Sequence, residues 1–308
     1  MLKGRFSQLS YINQILLSLI LVVGISFIIL FVGSLLCYLF FGINIMTDTI
    51  SLNINGPKPN IAALKFYQAV YSIGMFIIPP FIIAYFLSYN VPDYLKIRQI
   101  AKPKIFFQAF LLILIVLPTI NMMAELNSQI HFPEFLKGVE QWMRDSEEQA
   151  ALVTQKFLKM DSLGDLFINL ILIAMIPALG EELLFRGVLQ KQLSKLTGNI
   201  HWGILISAIL FSALHMQFFG FFPRLFLGML FGYLLVWTGS LWVPILAHFV
   251  NNGLAVCTSY FIAEGQLPEQ TDTIGSSNMM WELSLISLVL SSYLAFQLFR
   301  SRKRQVEC

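Results

Sequence analysis

What this sequence is short of is charge. Asp, Glu, Lys and Arg make up 12% of its 308 residues, about half the roughly 25% of a soluble domain. The shortage excludes an ordinary water-soluble globule, whose surface needs those groups. Cysteine is scarce too: Cys37, Cys257 and Cys308 show no CxxC spacing, which excludes a disulfide framework or a cysteine metal site. The last residues, Val306-Glu307-Cys308, are not a prenylation box, which needs three residues after its cysteine. No ten-residue alternation of apolar and polar residues marks an outer-membrane barrel. The formal charge of +3 carries no sign of a nucleic-acid partner. Its placement along the chain encodes topology instead.

What the chain has in abundance is apolar residues, 57%, in several runs at or beyond the ~18 residues that read as a membrane span. We expect an all-α polytopic bundle of about eight transmembrane helices, one integral-membrane domain over residues 1–308 in contact with the lipid bilayer. Lys3 and Arg5 precede an apolar run over 15–41, longer than a signal-peptide core, so it reads as a retained first span. A polar loop over 43–64 carries Asn53, Asn55, Gly56, Pro57 and Pro59. The second span covers about 66–89, with Pro79-Pro80 as a kink site. Lys96, Arg98, Lys102 and Lys104 form a basic loop before the third span, 105–123, which contains Pro118.

Residues 125–162 are polar and acid-rich. Phe135, Leu136, Val139, Trp142 and Met143 recur there at helical spacing, the pattern of an amphipathic helix on a membrane surface or packed on the bundle. Further spans follow from Leu166, over 202–216, 222–237, 241–261 and 283–299. With eight spans the basic clusters (N-terminus, 96–104, 186–195, C-terminal tail) fall on one side and the acid-rich loops on the other. Positive-inside logic makes the basic side cytoplasmic, with both termini there and 125–162 a non-cytoplasmic loop.

Ionisable groups inside such runs are expensive and mark functional sites. Glu181-Glu182-Leu183-Leu184-Phe185-Arg186 ends the apolar run 166–179. Glu182 and Arg186 are an i,i+4 pair able to neutralise each other, a structural support near the cytoplasmic boundary. If the pair acts only on itself, exchanging its two residues should restore part of the stability lost by neutralising either one. Glu181 is the carboxylate left free. His215 and His248 lie in apolar segments, Phe211 one turn before the first and Asn252 one turn after the second. Buried amides and imidazoles need partners, and Glu181, His215, His248 and Asn252 offer themselves to one another. A carboxylate in a partly dehydrated pocket suits general base work on a water, with the imidazoles and amide as oxyanion donors. Glu181, His215 and His248 equally supply a ligand set for a divalent metal such as zinc, with one position open for water. The residues alone leave both uses open.

Other hydrolytic motifs are missing. There is no His-Glu-x-x-His. Gly24-Ile25-Ser26-Phe27 lacks the second glycine of a rhomboid-like serine site, and Asp165 stands at a span entrance without a mid-span aspartate partner. The order Glu181-Glu182-x-x-x-Arg186, Phe211-x-x-x-His215, His248-x-x-x-Asn252 resembles the CAAX-processing and bacteriocin-processing (CPBP, Abi) intramembrane endopeptidases. The likeness covers about residues 166–260, and Phe185-Arg186-Gly187 and Thr238-Gly239-Ser240-Leu241 are similar to bacterial members.

The resemblance implies a catalytic core over 164–262. It makes Glu181 the water-activating residue, His215 and His248 metal ligands or oxyanion stabilisers, Asn252 an oxyanion donor, and Glu182, Arg186 and Phe211 structural support. The metal dependence stays unsettled. The implied activity is endopeptidase cleavage of a membrane-embedded or lipid-anchored peptide or protein, in a bacterial plasma membrane, at a site open to the cytoplasmic side. The competing reading is a non-enzymatic scaffold or bacteriocin self-immunity protein, which has no need of this residue set.

Overall fold

In a computed structural model describing residues 2–48, 56, 59–276 and 280–306, with side chains as far as residue 300, the chain is a bundle of helices; among the described residues there is no strand. Asn53, Asn55 and Pro57 of the first polar loop, and Cys308, lie outside the described residues. The helices are α1 (Tyr11–Phe41), α2 (Ile61–Leu87), α3 (Pro103–Ser128), α4 (Lys137–Leu158), α5 (Leu163–Thr197), α6 (Ile200–Ala213), α7 (Phe221–Thr238), α8 (Trp242–Ala263) and α9 (Trp281–Val306). Seven of these segments are long and apolar enough to cross a membrane, which makes this an integral membrane protein.

The fifth expected span, 202–216, needs correction. Its helix α6 has 14 residues and stops at Ala213, about 21 Å at 1.5 Å per residue, so it is a leg between the two ends of the bundle that is shorter than a ~30 Å hydrocarbon core. Leu214, His215 and Met216 turn back onto Leu210, Ser212 and Ala213, and Met216 takes a left-handed φ of 54°. His215 therefore lies in the turn after an apolar helix, not within one.

The legs run up and down alternately. One end of the bundle gathers the N-terminal strap, whose Gly4 and Phe6 bond to Tyr85 and Phe86, with the 88–102 loop and the turns at Gly198 and Gly239. There Leu241 N–H donates to Lys96 and the Trp242 indole to Ile97. The other end gathers α4, the 214–220 turn and the 264–276 loop, tied by Asn127 to Phe218 and by Asn121 to Ile274. The basic loop 96–104 and the acid-rich segments thus lie at opposite ends.

Proline shapes two legs. Pro79-Pro80 and Pro177 have no N–H to give to the preceding turn. Wide turns of five and six residues, Ile73–Ile77 and Leu170–Met175, stand just before them. A third wide turn, Leu183–Leu189, directly follows the paired glutamates, in keeping with the frequent occurrence of such bulges at functional sites. Pro244 sits in the first turn of α8, where an N–H is unbonded in any case, so it does not supply the kink that a proline inside a span would suggest.

The main core joins α3, α7, α8 and α9 through Leu112, Ile113, Phe231, Leu234, Val243 and Leu298. A second joins α2 to α5. Gly228 and Gly232 let α7 close on its neighbours: a Cβ on Gly228 would lie 3.0 Å from that of Ala208, and one on Gly232 2.7 Å from Gln190 Oε1. The α1 residues Ile20, Phe31 and Phe40 face outward, each more than 60% exposed, as lipid contact requires.

Candidate functional site

The glutamates stand about midway along the 35-residue α5. Helix α5 continues through Arg186, Gln190 and Gln192, all three buried. Arg186 is thus a buried helical residue and not part of a basic loop cluster. Arg186 is 1% exposed and Glu182 0%. Arg186 is lodged there because every direction is occupied. Its Nη1 donates to Glu182 Oε1 at 2.9 Å, its Nη2 to the Gly228 carbonyl at 2.9 Å, and its guanidinium lies 4.7 Å from the Phe211 ring and 5.5 Å from that of Phe231. One turn on, Gln190 Nε2 donates to the Gly232 carbonyl at 3.2 Å. The two α7 glycines thus expose backbone acceptors to two α5 donors at matching spacing.

Helix α8 brings His248 against both glutamates. Its Nδ1 lies 2.9 Å from Glu182 Oε1, and since a carboxylate oxygen accepts, Nδ1 carries the proton. The other ring nitrogen, Nε2, faces Glu181 Oε2 across 3.8 Å. Phe231 stacks on the imidazole at 5.1 Å and Phe211 meets it edge-on at 5.9 Å, so the ring is held in plane and in rotation. Glu181 keeps 13% side-chain exposure where Glu182 has none. Its buried Oε2 accepts no hydrogen bond. Glu182 Oε2 is unpartnered too, but Glu182 Oε1 is spent on Arg186 and His248.

His215 donates from Nδ1 to the Phe211 carbonyl at 2.8 Å, capping the end of α6, and its ring meets Phe211 at 4.9 Å. It is therefore one aromatic ring away from His248. Asn252 lies one turn beyond His248; its Oδ1 accepts from Asn251 at 3.1 Å and its amide reaches the Ile173 carbonyl on α5 at 3.5 Å. Among the described residues no hydrogen bond joins the Asn252 side chain to the glutamates or imidazoles. The structure brings Glu181, Glu182, Arg186, Phe211, His215 and His248 together, and leaves Asn252 at the margin.

Three further residues belong to the cluster. Phe231 and the Gly228 carbonyl give no signal in an apolar run. Arg224 does: it is a cation inside the segment 222–237, expensive there and so informative. It bonds to Gln217 through both Nη atoms, at 2.9 and 2.6 Å, and lies within electrostatic reach of Glu181.

A metal is the other use of this donor set. Among the described residues no group of three His, Cys, Asp or Glu side chains is arranged to hold an ion. His248 and His215 each donate Nδ1–H to a carboxylate or a carbonyl and keep Nε2, as metal-ligating histidines do, but the Phe211 ring stands between them. As placed, Glu181, His215 and His248 do not converge on one zinc ion.

Residues 163–254 match the family model described as type II CAAX prenyl endopeptidase Rce1-like, in agreement with the resemblance carried by the three motifs. The chain is also similar to the uncharacterized protein YpbD of Bacillus subtilis (strain 168), 32% identical over 97 residues. That match covers 30% of this chain and 47% of the relative, so the chain spans about half the length of the curated protein it matches. No solved structure matches the chain.

Proposed function

We propose that this chain is an intramembrane endopeptidase of the CAAX-processing kind, hydrolysing a peptide bond in a membrane-embedded or lipid-anchored peptide or protein with a water activated by Glu181. One observation carries the reading: Glu181 Oε2, buried and without a hydrogen bond, faces His248 Nε2 across 3.8 Å. With the His248 proton on Nδ1, both facing atoms are acceptors. A water set ~2.8 Å from each donates one hydrogen to each, which turns a lone pair of its oxygen toward a substrate carbonyl. Glu181 takes the proton as the oxygen attacks and returns it to the leaving amine.

Glu182 and Arg186 act through His248. The carboxylate holds the tautomer, and the guanidinium, anchored on Gly228, holds the carboxylate. His215 uses only Nδ1, on the Phe211 carbonyl, and Asn252 lies on the same face of α8 as His248. These two are the proposed donors to the oxyanion. The core for this chemistry is 164–262. The basic end of the bundle is proposed as the cytoplasmic end of a bacterial plasma membrane protein, with both termini there and 125–162 on the other face.

The test is a comparison of membrane-peptide fragments from cells carrying wild-type protein and Glu181→Gln. The amide keeps the shape and cannot take the proton. Fragments present with the wild type should disappear with the variant, while expression and Tm stay unchanged. Identical fragment profiles would favour the non-enzymatic reading.

A further inference from the structure

A cavity of about 820 Å³ opens at the basic end of the bundle, between the 94–101 loop, α5 and the Thr238–Ser240 turn. Three ammonium groups ring it: Lys96 from the loop, and Lys191 and Lys195 one turn apart on α5. They are near enough for Lys191 to sense the charges of the other two, yet among the described residues none is paired with a carboxylate. Lys191 is held in place by the Tyr94 carbonyl at 3.1 Å and by the Tyr94 ring, 3.6 Å from its Nζ. Neither contact neutralises it. Deeper in the wall, Ser240 is fully buried and its hydroxyl has no hydrogen-bond partner. Unpaired cations around an unused buried hydroxyl make a site that lacks only an anion. The rim is of another character: Ile100 and Ile200 are exposed there, beside Trp237.

We propose that this cavity binds a phosphate group, and that its source is the headgroup of an anionic phospholipid from the adjoining leaflet. The lysines and Ser240 take the phosphate oxygens, as basic pockets between transmembrane helices do, while Ile100, Ile200 and Trp237 lie against the glycerol and the first acyl carbons. A free phosphate would meet the same donors and leave that apolar rim without a role. Arg186 separates the cavity from the proposed peptide chemistry: it stands at the inner edge, with Nη1 and Nη2 donating away to Glu182 and Gly228.

The test uses the full chain purified in neutral detergent, with thermal unfolding and lipid retention in native mass spectrometry as readouts. Phosphatidylglycerol, phosphatidylcholine and inorganic phosphate are titrated separately. Phosphatidylglycerol should raise Tm and remain bound at one copy, and phosphatidylcholine should do neither. The double variant Lys96→Gln/Lys195→Gln should need on the order of tenfold more phosphatidylglycerol for the same shift. Ser240→Ala removes a hydroxyl with no partner, so it should keep the lipid-free Tm and still weaken the response a few-fold. Equal effects of the two lipids, or a wild-type response in both variants, would overturn the cavity as an anion site. A response to inorganic phosphate as large as that to phosphatidylglycerol would overturn the lipid as its source.

Discussion

Arg186 and Glu182 show how much a buried residue can be asked to do at once. From spacing alone they are partners of each other, and exchanging them should restore what either neutralisation loses. The structure gives each a second bond of fixed polarity: Arg186 donates to the Gly228 carbonyl, and Glu182 accepts from His248. Exchange would set a carboxylate against a carbonyl and a guanidinium against an imidazole N–H. We therefore expect Glu182→Gln and Arg186→Gln each to lower stability by about 3–5 kcal/mol, the usual result of stranding one partner of a buried pair. The double variant Glu182→Arg/Arg186→Glu should recover none of it. Denaturation of the purified variants measures this, and a recovered Tm in the exchanged protein would show that the pair acts only on itself. The pairing was readable at i,i+4. Its second set of bonds was not, because Gly228 and His248 arrive from other helices 42 and 66 residues away.

At the scale of the element, α4 combines an apolar stripe with a polar brace. Trp142 packs on Phe218 at 5.1 Å and Glu147 accepts from the Phe219 N–H, while Phe135 remains 84% exposed. The helical period of 135–143 was legible, and so was its amphipathic character; both docking on the 214–220 turn and outward apolar side chains are present. Its start is braced by Glu140, which accepts from the Phe132 N–H and from Arg144. These bonds, the backbone one first, hold its carboxyl down from the usual 4.5 to about 2. A depressed pKa stabilises the folded form above the unfolded value and loses that contribution as pH falls from 4.5 toward 2. Protection of the amides at 132–144, measured against their intrinsic exchange rate at each pH, should accordingly be high at pH 7 and fall below pH 4. In Glu140→Gln it should be low at both, with the two proteins converging near pH 2. A pH-independent difference would remove Glu140 as the brace.

At the scale of the whole molecule, the alternation of legs places Gln99 and Gln266 at opposite ends. In a protein whose native cysteines are replaced by serine, an impermeant maleimide should label Gln266→Cys in intact cells and Gln99→Cys only in inverted vesicles. Labelling of both from one side would break the up-and-down order. That order, the all-helical class and the segregation of basic and acidic loops were determined by the sequence itself, because a bilayer forces each crossing to be a long apolar helix and confines charge to its ends. Seven of the expected spans, including the one that carries the glutamates, follow from that rule. The tertiary structure alone decided that α6 stops short of His215, that α5 carries Glu181 through the middle of the bundle, and that Arg224 joins the cluster. The reason is physical: apolar length sets whether a segment crosses, but depth, rotation and partner depend on which side chains and exposed carbonyls meet across helices. The two glycines of α7 illustrate it, visible in the chain as small residues four apart, and only in the packed bundle as the acceptors for Arg186 and Gln190.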